Sequence, residues 1–168
     1  MVSVTSAAPV GVRILVCGNA ERGDDGAALA AIAHLLPTLP PEVCDRIEVR
    51  RCVQLDAADL IDVGPDEACV VVDAVVGIAA GTIEVCPLEA LASGDAVLTA
   101  RSTHGLTIRD ALAQAAIVRG SVPRGSFVAL GGKWFGYGER MSRVVRGALP
   151  AFADAIESEV ERLLGMTA

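Results

Sequence analysis

Apolar residues along the chain gather in a few short unbroken runs, separated by stretches where they recur every three or four positions. Arg13–Cys17, Ile47–Cys52, Ala68–Asp73 and Phe127–Leu130 read as strands, and Thr82–Val85 as a fifth following a turn through residues 77–81. Most of these runs do not alternate with polar residues, as expected of strands covered on both faces. Helices are predicted between them. Gly26–Leu36 is rich in Ala and Leu and stops at Pro37, Ala57–Ile61 is short, and Thr107–Val118 opens on Thr107-x-x-Asp110, a capping-box spacing. Near the C-terminus Val145, Leu149, Phe152, Ile156, Val160 and Leu163 line one helical face, while Asp154, Glu157, Glu159, Glu161 and Arg162 occupy the other. A kink or restart is expected at Pro150, which has no amide proton to give the preceding turn.

The order β-α-β-α-β-β-α-β-α predicts an α/β fold, a three-layer α/β/α sandwich with a mostly parallel central sheet. The pattern divides the chain into a leader, residues 1–12, and a single domain, residues 13–166. With 168 residues the domain can bury a real core. Its composition, 52% hydrophobic but 3% aromatic, says that this core is built from Ala, Val, Leu and Ile.

A net charge of −7 and the lack of a basic run argue against nucleic acid as partner, since phosphate contacts need clustered Lys and Arg. The longest apolar region, Ala68–Gly81, is broken by Asp73 and Gly77 and is shorter than the roughly 20 residues a bilayer requires, so no membrane partner is expected. The first residues lack the basic and apolar regions of a signal peptide, and a cytoplasmic chain, a monomer, is expected. Five cysteines, Cys17, Cys44, Cys52, Cys69 and Cys86, form no C-x-x-C pair and read as small core residues in a reducing compartment.

The chemistry concentrates after the first strand, in Gly18-Asn19-Ala20-Glu21-Arg22-Gly23-Asp24-Asp25-Gly26. A glycine-rich turn at this point of an α/β fold usually receives phosphate, yet this one carries three carboxylates. Asp24 and Asp25 enter the first helix, where one acid would serve as a cap and two exceed that need. Asp73 follows the run Cys69–Val72. His104 lies in the polar loop Arg101–Gly105, whereas His34 on its Ala/Leu helix reads as a surface residue. All three sites fall beyond the carboxyl ends of strands, where open α/β sheets bind ligands. Two carboxylates and an imidazole make a three-ligand metal site with open positions, although the sequence spacing alone is weak support.

These motifs, taken in order, resemble the hydrogenase maturation endopeptidases, which trim the C-terminus of the nickel–iron hydrogenase large-subunit precursor. Ile14-Leu15-Val16-Cys17-Gly18-Asn19 with Gly23-Asp24-Asp25-Gly26 is similar to the family's first signature. Val71-Val72-Asp73-Ala74, then Gly81-Thr82, is similar to its second acidic motif, and Ser102-Thr103-His104-Gly105-Leu106 lies where the family carries its histidine. Gln54-Leu55 and Gly138-Glu139-Arg140-Met141-Ser142 resemble one branch of it. The likeness runs from residue 13 to about 160. The family often has a second glycine where Ala27-Ala28 follow Gly26 here, and the residues before Val12 have no counterpart.

The resemblance implies a phosphorylase/hydrolase-like fold and makes Asp25, Asp73 and His104 the metal-contacting and catalytic residues, with Asp24 a supporting acid or cap. It implies that the cation is nickel supplied by the precursor, with other divalent cations entering the site in vitro. Whether the metal activates water, or an aspartate acts as general base, stays open. Two other readings stay open: a peptidase of this fold with another substrate, and a non-catalytic chaperone binding nickel or precursor. The loop Gly131–Gly138, holding the only Trp and Tyr, is a candidate for precursor contact or else a core-anchored turn.

Overall fold

The computed structural model describes residues 10–95, 107–138 and 140–166. Five strands, β1 (Val12–Cys17), β2 (Ile47–Cys52), β3 (Ala68–Val75), β4 (Ile83–Pro87) and β5 (Gly125–Gly131), form one sheet in the order β2-β1-β3-β5-β4. The first four in that order are parallel, and β4 closes one edge antiparallel to β5. The unbroken runs become the inner strands: β1 and β3 are buried along their whole length and β5 at all but its first residue. The edge strands β2 and β4 are only half-covered, which is why their sequences admit Arg50, Arg51 and Glu84.

Among the described residues six helices complete the layers: α1 (Ala27–Leu35), α2 (Pro41–Cys44), α3 (Ala57–Ile61), α4 (Leu88–Ser93), α5 (Ile108–Arg119) and α6 (Arg143–Leu164). Side-chain alternation in the strands splits the core in two. Ile14, Val16, Val70, Val72 and Val128 meet α1 and α6 on one face, while Leu15, Cys17, Val71 and Phe127 meet α3, α4 and α5 on the other. The short helices α2 and α4, both opened by proline at or next to the first turn, were not foreseen; four to six residues are too few to show a 3.6-residue period.

The capping box forms as expected at α5, with Thr107 and Asp110 exchanging side-chain and backbone hydrogen bonds. The expected restart at Pro150 does not occur, and α6 runs through it as a single helix of 22 residues. Proline removes one hydrogen bond, but Pro150 and Arg146 lie on the exposed side, where the freed carbonyl can meet water. Val145 before it and Phe152 and Ile156 after it are fully buried, and each large side chain contributes about 2–3 kcal/mol by leaving water. That common anchorage keeps the helix continuous past Pro150.

The domain also begins earlier than the pattern suggests. Val12, assigned to the leader, is the first residue of β1 and fully buried, and the Gly11 amide donates to the Arg46 carbonyl at 2.7 Å. Of the cysteines, Cys17, Cys52 and Cys69 are core residues as expected, whereas Cys44 is exposed and Cys86 half-covered on the edge strand. Among the described residues no helix is long and apolar enough to cross a membrane.

Candidate active site at the carboxyl edge of the sheet

Chain order turns outward in opposite directions from β1, to β2 on one side and to β3 on the other. The crevice between the carboxyl ends of β1 and β3 is therefore the switch point at which α/β sheets place ligands. The turn carrying Asp24 and Asp25 leaves β1 at this point, and Asp73 stands near the carboxyl end of β3, opposite Ala129 of β5. The sequence reading ended the strand at Asp73. It continues to Val75, so the carboxyl is held by strand backbone on a rigid element.

Gly18 makes the turn possible. Its φ of 120° lies where side chains are strained, and a Cβ there would come within 2.0 Å of the Asp25 carbonyl oxygen. The chain can thus fold Gly23–Gly26, a single 3-10 turn, back over the end of β1. Within it the two acids take different tasks.

Asp24 is fully buried and does not cap the helix it enters, where no side-chain cap bond forms. Its Oδ2 accepts from the Lys133 amide at 2.7 Å, the Trp134 amide at 2.9 Å and the Ser142 hydroxyl at 2.9 Å, and its Oδ1 from the Ser142 amide at 2.6 Å. Ser142 in turn caps α6, its hydroxyl accepting from the Val145 amide. Asp24 therefore ties the first turn to the loop after β5 and to the start of α6. The Asp24 amide giving to the Trp134 carbonyl at 2.7 Å, the Gly138 amide giving to the Glu21 carbonyl at 2.9 Å, and Arg22 Nε giving to the Phe135 carbonyl at 3.1 Å tighten the same junction. This structural hub is missing from the sequence reading, because its partners lie more than 100 residues away.

Asp25 is also fully buried, and its Oδ2 accepts from the Asn19 amide at 2.9 Å. Asn19 braces the turn by accepting from the Glu21 amide at 2.9 Å. Asp73 is 5% exposed, and its Oδ1 is buried without a hydrogen-bond partner. Burial, and then the negative charge of Asp25, push the Asp73 carboxyl up to about 8, opposed in part by a hydrogen bond from the Ala74 backbone. Asp25 and Asp73 are thus brought together as an interacting pair. A buried carboxylate oxygen without a hydrogen-bond partner, close enough to a second acid to feel its charge, fits a cation or a donor from a ligand.

His104, the third residue of the expected set, lies outside the described residues. Among the described residues no group of three His, Cys, Asp or Glu side chains could hold a metal ion. His34 is exposed on α1, as expected. Cys17, taken for a core residue, is buried behind the pair; it shares a hydrogen bond with Cys52, its register partner on β2, and the negative charge of Asp73 adds to burial in holding its thiol protonated.

The loop after β5 is anchored through its backbone rather than its rings. Trp134 is 48% exposed and Tyr137 72%, with the Lys133 ammonium 5.1 Å from the indole and the Arg22 guanidinium 5.0 Å from the phenol ring. Next to this loop a groove of about 500 Å³ runs between the acidic turn, α1 and the start of α6. A second cavity, of about 750 Å³, lies at the far end of the sheet by Ser126, Glu159 and Arg162.

No protein-family model and no curated protein matches the chain. Solved structures do. The chain superposes with a TM-score of 0.65 and 22% identity on the NiFe hydrogenase maturation protease HybD from Thermococcus kodakarensis, covering 89% of this chain and 98% of that one. It matches the hydrogenase maturating endopeptidase HybD from E. coli with a TM-score of 0.70 and 15% identity, over 91% and 93% of the two chains. The maturation protease HycI from Thermococcus kodakarensis KOD1 gives 0.64 and 20% identity over 90% and 93%. What these share with the present chain is architecture: it has the α/β fold of the hydrogenase maturation proteases across about nine-tenths of its length.

Proposed function

We propose that this chain is an endopeptidase that removes the C-terminal extension of the nickel-loaded NiFe hydrogenase large-subunit precursor. The observation that carries the reading is the buried Asp25–Asp73 pair at the switch point, with Asp73 Oδ1 unpartnered, in a fold shared with proteases of that process. Asp24 spends both its oxygens on backbone and hydroxyl donors, whereas Asp73 keeps a buried oxygen that a cation brought by the substrate can meet.

Near neutral pH burial, and then repulsion from Asp25, keeps Asp73 largely protonated. A divalent cation seated on the precursor removes that repulsion, so the Asp73 proton leaves as the substrate docks and both carboxylates turn to the metal. In this reading nickel is part of the substrate rather than a resident cofactor, and Asp25, Asp73 and His104 complete its coordination. Docking through the cation brings the scissile bond to the carboxyl edge of the sheet. The cation can polarise the scissile carbonyl, and water can be activated at the metal or by an aspartate freed of its proton. The enzyme works in the cytoplasm, as a monomer, and acts only on metal-loaded precursor.

Precursor cleavage by Asp25→Asn, Asp73→Asn and His104→Ala, singly and in pairs, tests this. Groups acting together on one cation give single losses nearly as large as the double ones. Full cleavage by any single variant removes that residue from the site. Tight binding of precursor without shortening by the unaltered protein would favour the chaperone reading instead.

A further inference from the structure

The chain as a whole is acidic, yet residues 132–146 hold Lys133, Arg140, Arg143 and Arg146 against a single acid, Glu139. Those four cations are exposed. Among the described residues the ion pairs engage Arg13, Arg50 and Arg162, and none engages these four or Arg22. Arg146 instead gives a hydrogen bond to the Met141 carbonyl, which leaves its charge uncompensated. A protein of net charge −7 has acids in abundance to neutralise such a cluster, so its isolation is a feature of that surface.

The cluster edges a groove. Ala20, Leu29, Ala30 and Met141 give it apolar walls, Gly23 and Gly26 form the side shared with the Asp25 turn, and Arg140 and Arg146 stand at its rim. Exposed Trp134 and Tyr137 lie on the adjoining loop, each under a cation. Aromatic and arginine side chains around an apolar centre are the composition of interface hot spots. The Asp24 hub fixes both walls to each other, so the groove is formed before anything binds.

We infer that this groove docks an acidic, partly apolar stretch of the peptide substrate, apolar side chains lying on Leu29 and Met141 and carboxylates meeting Arg140 and Arg146. Charge complementarity selects the occupant. The buried acids of the cleavage site repel a peptide's carboxylates, and among the described residues this adjoining surface offers unpaired cations to hold them. The inference rests on the peptidase reading for the identity of the substrate, and on the groove alone for its chemistry. An acidic stretch held here, beside the turn that bears Asp25, sets the register of the bond presented to the site.

Two measurements separate the two claims. The first follows binding of a fluorescein-labelled Leu/Glu peptide and its Leu/Gln counterpart by anisotropy, with a single-stranded RNA as competitor. The Leu/Glu peptide should bind about tenfold tighter, more weakly as salt rises, and the preference should vanish in Arg140→Glu/Arg146→Glu. The second follows kinetics on nickel-loaded large-subunit precursor. The same double variant should raise KM about tenfold and leave kcat near that of the unaltered enzyme. Arg140→Lys/Arg146→Lys should recover most of the affinity, and Ala30→Glu, which puts an acid in the groove without touching the arginines, should mimic the loss if the double variant melts early. Equal binding of both peptides, or displacement of the acidic peptide by RNA at equal concentration, overturns the proposal. Selective peptide binding by a protein that cleaves no precursor keeps the groove and discards the peptidase.

Discussion

Replacing Asp73 with Asn should stabilise the metal-free protein, and more so as the pH rises. The carboxyl ionises near 3.8 in an unfolded chain and at about 8 in the fold, because burial and the charge of Asp25 both oppose its ionised form. Below about pH 4 the group is protonated in both states and contributes nothing. Between pH 4 and 8 the unfolded chain gives up the proton while the fold keeps it, so the fold loses about 1.4 kcal/mol of stability per pH unit. Above pH 8 the loss levels off. Its ceiling, about 4 pH units at that slope, is on the order of 5 kcal/mol, and local relaxation and water entry reduce it to a few. Asn has nearly the same shape and cannot ionise. Urea unfolding of both proteins at pH 5, 6, 7 and 8, with a chelator present, should show the variant's advantage widening by about 2–4 kcal/mol across the series. A domain of this size should register that as roughly 5–15 °C in melting temperature. Parallel stability profiles for the two proteins would refute the argument, since Asp73 would then ionise freely in the fold and lack the strained environment ascribed to it.

Asp24→Ala orphans the Lys133, Trp134 and Ser142 amides and should cost about 3 kcal/mol or more, seen as a melting point lower by roughly 10 °C; a loss under about 1 kcal/mol would dismiss the hub. Gly18→Ala drives a Cβ to within 2.0 Å of the Asp25 carbonyl at a φ of 120°, and should destabilise by about 3 kcal/mol or more; a normal melt would show that the turn has room to shift. Trp134→Ala should change the melting point little, because the loop is held through its backbone, while weakening precursor binding in a pull-down titration; the reverse result would return the indole to a structural role.

The inner layers of this fold were legible in sequence for a definite reason. Strands buried on both faces leave unbroken runs such as Cys69–Val72, and a helix with one buried stripe leaves the period seen from Val145 to Leu163. Elements too short to complete a period, α2 and α4, left none. At Pro150 local chemistry forecasts a kink or a restart; the restart does not occur, because two stretches of helix sharing one buried face outweigh one missing hydrogen bond. At the candidate site, residue type drew attention to Asp25, since acid in a turn that should welcome phosphate is out of place, and to Asp73, an acid closing an apolar run. Residue type could not divide the labour between Asp24 and its neighbour. That division is set by Lys133, Trp134 and Ser142, which reach Asp24 only when β5 and α6 are in place. The arginine-edged groove was likewise hidden, its two walls coming from opposite ends of the chain.

The proposed function is tested most directly by intact mass. Nickel-loaded NiFe hydrogenase large-subunit precursor, and the same precursor prepared without nickel, are incubated with this chain and followed over time. The account predicts that the loaded precursor is shortened at its C-terminus to a single product, that the nickel-free precursor keeps its full mass, and that Asp25→Asn leaves both uncut. A loaded precursor that keeps its full mass in the presence of folded, unaltered protein, or a nickel-free one that is cut equally fast, would contradict it.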